Sequence, residues 1–220
     1  MFFLNTGFGL VVAALGAGYL LVTGGLPGLD AVARAMSASE AHLLALALGL
    51  VLTTVQTTSP SISLEGHRLW ILKSAPVRAA TVLDAKAAFN VLLAAPVIAL
   101  GAVAVIVTTT PTPLEALGVV LVPVGVAALG AVVGLVANLR WPNLDAPNET
   151  VAVKQGLAVV VALFGSMIVT VGAAAVGLQV TQSAGSGAGL TATWVALLAA
   201  AGAGYALLRT WGLRAFARLD

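Results

Sequence analysis

Apolar residues fall into six long stretches along the chain, and polar or turn-forming residues separate them. Each stretch approaches the roughly 20 apolar residues that an α-helix needs to cross a hydrocarbon core of about 30 Å. The pattern therefore predicts an all-α integral membrane protein with about six transmembrane helices. The predicted spans are residues 2–22, 42–58, 88–108, 116–137, 156–178 and 192–208.

The segments between the apolar stretches contain residues that end helices. Pro111 and Pro113 predict a tight turn, and the Ser- and Gly-rich residues 179–190 predict a loop. All six spans form one predicted transmembrane domain over residues 1–220. Three polar segments are predicted to lie outside the membrane on the same side: two loops, residues 59–87 and 138–155, and a C-terminal tail, residues 209–220.

The composition agrees with a chain that is dissolved in lipid. Hydrophobic residues make up 60% of the chain and charged residues 8%, whereas soluble domains carry about a quarter charged residues. The absence of cysteine excludes disulfides and thiolate chemistry, and two histidines are too few to build a metal centre. The net charge of +2 is too small to suggest a nucleic-acid partner.

The positive charges predict the orientation of the chain. Of the ten Lys and Arg residues, only Arg34 falls on the opposite side of the predicted membrane from the others. Cytoplasmic loops carry the excess of Lys and Arg, so both termini are predicted to be cytoplasmic in a multi-pass protein of the cell membrane. The cations on the predicted cytoplasmic side are Arg68, Lys73, Arg78, Lys86, Arg140, Lys154, Arg209, Arg214 and Arg218.

The predicted spans contain only uncharged polar residues. Ion-coupled carriers usually need a buried ionisable group, so a proton-driven transporter is disfavoured. Hydroxyl and amide side chains in spans mostly hydrogen-bond to neighbouring helices or to their own backbone. The alternative interpretation is the wall of a polar pathway, for which the candidates are Thr53, Thr54, Gln56 and Thr57.

Small residues in the spans predict close helix packing. Gly130 and Gly134 form a Gly-x-x-x-Gly pair in the fourth span, and such pairs allow two backbones to approach each other. The pair supports a packed helical bundle without locating a dimer interface.

No catalytic centre is predicted. His42 and His67 fall on opposite sides of the predicted membrane, each as a solvated interfacial residue, and no nucleophile accompanies either of them. The chain also lacks a Gly-x-x-x-x-Gly-Lys-Ser/Thr motif. We therefore predict no enzyme activity, no metal, and no cofactor bound by this chain.

The predicted loop at residues 59–87 contains an amphipathic segment. Leu64, Leu69, Ile71 and Leu72, together with Trp70, alternate with Glu65, Arg68 and Lys73. One interpretation is a helix that lies at the lipid surface, with Trp70 as its anchor. The other is a helix that docks into a protein on the cytoplasmic side.

Residues 61–76 of the first long loop read SISLEGHRLWILKSAP, and Lys86 follows. This run is similar to the pattern S-I-S-L-E-G-K-x-L-W-x-L-K-S-L-P of the type-2 ABC transporter permeases of bacteria. His67 replaces a basic residue and Ala75 a leucine. Residues 139–155 are similar to L-K-F-P-K-x-x-W-x-N-E…V-K-Q, although Asp145 or Ala146 stands where an aromatic residue is expected. The resemblance covers residues 50–175.

The resemblance implies a permease subunit, or half of one, that forms the translocation path of an ATP-driven exporter. ATP would then be used by a separate ABC nucleotide-binding subunit, and the other partners would be membrane lipid and either an N-terminal permease half or a second copy. The chain resembles the C-terminal half of the family. The alternative function is a non-transporting membrane interaction protein or a truncated permease remnant. The implied ATPase-coupling residues are Glu65, Arg68, Leu69, Trp70, Leu72 and Lys73.

Overall fold

The computed structural model describes residues 2–144, 151 and 156–219; most of these residues are helical and none is in a β-strand. A 3₁₀ turn, Gly66–Arg68, precedes the helix Leu69–Ser74, and a π-helical turn, Leu208–Gly212, joins the helices Ser186–Leu207 and Leu213–Ala217. The helices are α1 (Phe2–Thr23), α2 (Leu29–Ala35), α3 (Glu40–Leu52), α4 (Leu69–Ser74), α5 (Ala79–Thr109), α6 (Pro113–Arg140), α7 (Leu157–Ala184), α8 (Ser186–Leu207) and α9 (Leu213–Ala217).

Within the described residues, four helical stretches are long and apolar enough to cross a membrane: α5, α6, α7 and the continuous stretch Ser186–Ala217 that contains α8 and α9. A fifth crossing results if α2 and α3, which are bent by 101° relative to each other, form one broken span. The prediction of six spans is therefore not confirmed. The all-helical fold class is confirmed for the described residues.

The second predicted span, residues 42–58, differs from the structure because α3 ends at Leu52. The Thr53 and Thr54 hydroxyls donate to the carbonyl oxygens of Leu50 and Val51, at 2.7 Å each. The backbone N–H groups of the same two threonines bond to the same carbonyls, which tightens the last turn. Threonine side chains that bond to nearby backbone compete with the helix in this way.

The chain then runs without regular helix from Thr53 to Glu65, and we call these residues the buried connection. It enters the bundle instead of leaving it, since Val55, Thr57, Thr58, Ser59 and Ile62 are each at most 3% exposed. Residues 59–65 were predicted to be part of a cytoplasmic loop. The hydropathy pattern could not show that this polar segment is covered by other helices.

The loop predicted at residues 179–190 is helical except at Gly185. This glycine has a φ of +85°, a backbone conformation that other residues rarely adopt, and it reverses the chain between α7 and α8. The two helices pack closely below the turn, where a Cβ atom on Gly177 would lie 2.7 Å from the carbonyl oxygen of Gly189. The Ser- and Gly-rich composition therefore serves helix packing here. Residues 209–217, predicted to be part of a tail, are helical as well.

Helix α6 is the most buried of the long helices and packs against α3, α5, α7 and α8. It begins at a capping box, in which the backbone N–H of Glu115 donates to the Thr112 hydroxyl and the backbone N–H of Thr112 donates to the Glu115 carboxylate at 3.0 Å. Pro113 occupies its first turn, where a missing N–H costs nothing.

The Gly-x-x-x-Gly pair of α6 receives the buried connection and not another helix. A Cβ atom on Gly134 would collide with the Thr58 hydroxyl and lie 2.9 Å from the backbone nitrogen of Ser59. A Cβ atom on Gly130 would lie 3.4 Å from Nε2 of Gln56. The two glycines thus form a groove in α6 that holds a non-helical segment.

Replacing Gly134 by leucine is expected to lower stability, because the new side chain must displace Thr58 and Ser59. Overpacking of this kind costs about 1–3 kcal/mol. Thermal unfolding of the purified protein in detergent measures the effect. Gly172→Leu in α7 is the matched control, since nothing lies within 4 Å of a Cβ atom there. Equal melting temperatures for the two variants would contradict the proposed packing.

Candidate functional site

One end of the bundle carries most of the described cations. Helix α5 begins at this end, and α6 and α8–α9 finish there, so that Arg209 meets Asp84 of α5 at 3.3 Å. Arg34 lies at the opposite end, paired with Asp30 at 2.8 Å. We call the first the cation-rich end. Lys154, which was predicted to be on the same side, lies outside the described residues.

Two asparagines hold the buried connection in place. Oδ1 of Asn90 accepts hydrogen bonds from the Thr57 backbone N–H at 3.0 Å and from its hydroxyl at 2.7 Å. Oδ1 of Asn138 accepts from the backbone N–H groups of Ile62 at 2.7 Å and Ser63 at 3.2 Å. Both asparagines are at most 1% exposed. The two side-chain oxygens thus accept the hydrogen bonds that backbone carbonyl oxygens would have accepted if this segment were helical.

The four predicted pathway residues lie at the start of the buried connection. Thr53 and Thr54 bond to the carbonyls of their own chain, and Thr57 bonds to Asn90. Nε2 of Gln56 donates to Oγ of Ser166 in α7 at 3.1 Å, while its Oε1 has no partner among the described residues. Gln56 and Thr57 therefore link the buried connection to other helices, whereas Thr53 and Thr54 bond to the last turn of α3. A pathway along the four residues stays a prediction.

The predicted coupling residues divide into two groups, and the larger group faces the bundle. Leu69 is 4% exposed and packs in a cluster with Leu83, Leu139 and Phe216, and Leu72 packs against the same cluster. Nζ of Lys86 meets Oε1 of Glu65 at 2.9 Å. Nζ of Lys73 donates to the carbonyl oxygen of Ala217, the last residue of α9, and to that of Leu219, which follows the helix. These contacts fix α4 to the bundle.

The second group faces outward. Arg68 is exposed and has no charged partner within the described chain, and Trp70 is 66% exposed. Ile71, which the sequence placed in the amphipathic segment but not among the coupling residues, is 51% exposed beside them. We call Arg68, Trp70 and Ile71 the outer face of α4. The sequence could not separate the two groups, because a helix of six residues is too short for its periodicity to show which side is buried.

Two adjoining grooves lie between α5 and the segment that precedes it. The first has a volume of about 350 Å³ and is lined by Thr57, Ser61 and Phe89 among others. The second has a volume of about 300 Å³ and reaches Val77 and Thr81. Both are lined by Glu65, Ala85 and Lys86, so the ion pair stands where they meet.

His42 lies at the end opposite to the cations and is buried, with 0% exposure. The expectation of a solvated residue was wrong. Its Nδ1 lies 3.3 Å from the Thr181 hydroxyl of α7, and its Nε2 has no partner among the described residues. No cluster of three potential metal ligands occurs in the described part of the chain.

Most of the second loop of the resemblance, residues 139–155, lies outside the described residues. The residues left out include Asp145, Ala146, Asn148, Glu149 and Lys154. The structure therefore does not place them. Two asparagines near the start of this loop bond to the Ser63 hydroxyl of the buried connection. Nδ2 of Asn138 donates to it at 2.7 Å, and the backbone N–H of Asn143 donates to it at 2.9 Å.

Comparison with known proteins gives one family. Residues 36–204, more than half of the chain, match a family described as "Putative ATP-binding cassette". No curated protein and no solved structure matches the chain.

This match overturns several expectations. The matching family is described by a nucleotide-binding cassette and not by a permease, so the assignment to the type-2 permeases was wrong, and with it the function as an exporter permease. The alternative of a permease remnant or interaction protein is no better supported. The predictions that the chain has no ATP site of its own, and that only a partner uses ATP, are also contradicted by the family description.

The phosphate groups of ATP are commonly bound by a phosphate loop, which joins a strand to a helix N-terminus through glycines and a lysine. No described residue is in a strand, and the two described lysines, Lys73 and Lys86, are bonded to carbonyl and carboxylate oxygens. These residues do not fit the group by this mechanism. On the match over residues 36–204, the chain belongs to the family described as "Putative ATP-binding cassette".

Proposed function

We propose that this chain is a membrane-embedded member of an ATP-binding cassette assembly, and that an ABC nucleotide-binding subunit docks on the outer face of α4. The observation that carries the proposal is the exposure of Trp70 and Ile71 beside Arg68 on a helix that is fixed to the bundle from its other side. The family match supports an ATP-binding cassette context. The apolar length of α5, α6, α7 and α8–α9 supports the membrane location.

The chemistry of the outer face suits a protein partner. Tryptophan and arginine are enriched among the residues that contribute most to protein–protein binding. A short helix that presents an aromatic, an aliphatic and a cationic side chain can place the apolar pair in a groove while the cation sets the register. Because Leu69 is buried within the chain's own bundle, it is not available to a partner.

The membrane is proposed to be the cell membrane, with the cation-rich end in the cytoplasm. Support comes from the distribution of charge, since Arg68, Lys73, Arg78 and Lys86 precede the apolar part of α5, and Arg140 ends α6 at the same end. An excess of Lys and Arg marks cytoplasmic segments. A nucleotide-binding subunit that works on cytoplasmic ATP would meet the outer face of α4 on that side.

Docking is tested with the double variant Trp70→Ala/Ile71→Ala. Loss of a buried tryptophan anchor costs about 2 kcal/mol or more, so we expect binding to weaken by about thirtyfold or more. Co-purification and titration with a co-expressed ABC nucleotide-binding subunit measure it. The control is Val195→Ala/Leu198→Ala, which truncates two apolar side chains of similar exposure, 51% and 50%, on α8. Unchanged binding by the first variant would rule out this docking face.

Orientation is tested by labelling single cysteines, which is direct because the chain has no cysteine of its own. Ser74→Cys lies at the cation-rich end and Ser183→Cys at the other end, and both serines are exposed. In intact cells a membrane-impermeant maleimide is expected to label only the cysteine at position 183. After lysis it should label both. Labelling of position 74 in intact cells would reverse the proposed orientation.

A further inference from the structure

The two grooves beside α5 form one continuous surface feature, which we call the interfacial groove. One wall is a face of α5 that includes Thr81, Ala85 and Phe89, and the other wall is formed by residues 57–77. The two parts have volumes of about 350 and 300 Å³ and meet at the pair of Lys86 and Glu65. The groove therefore has charged groups in its middle and mostly apolar walls on either side.

The depth of the groove matches the level of lipid headgroups. Lys86 lies seven residues after Ala79, the first residue of α5, which is about 10 Å along the helix axis. Beyond Lys86 the outer face of α5 becomes apolar, with Phe89 53% and Leu92 69% exposed. No charged residue follows within α5. The ion pair thus stands at the boundary between the polar end of the bundle and its apolar belt.

The ion pair keeps unused hydrogen-bonding capacity. Nζ of Lys86 has three N–H donors, and two of them go to Oε1 of Glu65 at 2.9 Å and the carbonyl oxygen of Ser61 at 3.0 Å. Glu65 uses only Oε1, which leaves Oε2 without a partner among the described residues. Both side chains remain partly exposed, at 18% and 33%. One free donor of a cation and one free oxygen of an anion therefore stand side by side.

We propose that the interfacial groove binds the headgroup of a phospholipid that carries both a phosphate and a primary ammonium, as phosphatidylethanolamine does. The phosphate accepts a hydrogen bond from the Lys86 ammonium, and the lipid ammonium donates to Oε2 of Glu65. An acyl chain lies along Phe89 and Leu92 of α5. Charge-assisted hydrogen bonds of this kind are the strong ones, and basic pockets at the level of the headgroups are suited to lipid recognition.

The test compares three lipids by native mass spectrometry of the protein released from nanodiscs of defined composition. Phosphatidylethanolamine is expected to be retained about tenfold more than phosphatidylcholine, whose methylated ammonium cannot donate to Glu65, or phosphatidylglycerol, which has no ammonium. Glu65→Gln is expected to remove the preference for phosphatidylethanolamine over phosphatidylglycerol. Lys86→Gln is expected to weaken retention of both, and Lys86→Arg to restore it.

Arg214→Gln is the matched control, because Arg214 is exposed at the same end of the bundle and lines neither part of the groove. It should leave lipid retention unchanged. Equal retention of the three lipids by the unaltered protein would overturn the proposal, as would a Glu65→Gln variant that keeps the preference for phosphatidylethanolamine over phosphatidylglycerol.

A second measurement avoids variants that fail to fold. Phosphatidylethanolamine with a photoreactive group in its acyl chain is crosslinked to the unaltered protein, and the labelled peptide is identified. Labelling of residues 85–92 supports the groove. Labelling confined to the exposed faces of α7 and α8 would place the lipid elsewhere and overturn the assignment.

Discussion

The bundle depends on one constraint: where the chain leaves the helical conformation inside the apolar belt, its backbone groups need partners from other helices. A membrane supplies no water for this purpose, and each unpaired group costs several kcal/mol. The buried connection is the place where the constraint applies. Asn90 and Asn138 provide the acceptors, and Asn90 is itself held, since its Nδ2 donates to the carbonyl oxygen of Ala127 at 3.1 Å. The connection is thereby tied to both α5 and α6.

The positions of small and polar residues in the neighbouring helices follow from this arrangement. Gly130 and Gly134 remove the side chains that would occupy the volume of the connection, and Ser166 of α7 accepts from Gln56 at 3.1 Å. Each of these residues, taken alone, is an ordinary feature of a membrane helix. Together they form one polar assembly that links α3 to α5, α6 and α7.

The sequence predicted the long spans better than the short ones. Each of α5, α6, α7 and α8 covers a predicted stretch to within one residue, because a long run of apolar residues decides the helix by itself. The end of α3 at Leu52 was not predicted: the uncharged residues 53–58 were included at the end of the second span, and their hydrogen-bond partners in α5, α6 and α7 lie far away in sequence. The glycine pair was recognised as a packing feature, but its partner is a non-helical segment. The resemblance at residues 61–76 led to a family assignment that the match over residues 36–204 overturned.

The short helix α4 gives the clearest example of what sequence reasoning lacked. Among its six residues Leu69 is buried, Trp70 and Ile71 are exposed, and Lys73 bonds to carbonyl oxygens of the C-terminal segment. An amphipathic pattern predicts one apolar and one polar side. Which side is buried is determined by the neighbouring cluster of Leu83, Leu139 and Phe216. Because the covered side is fixed by that cluster and by Lys73, the outer side is held in place before any partner arrives. Binding to a preorganised face loses little conformational entropy, so more of the contact energy is available for affinity.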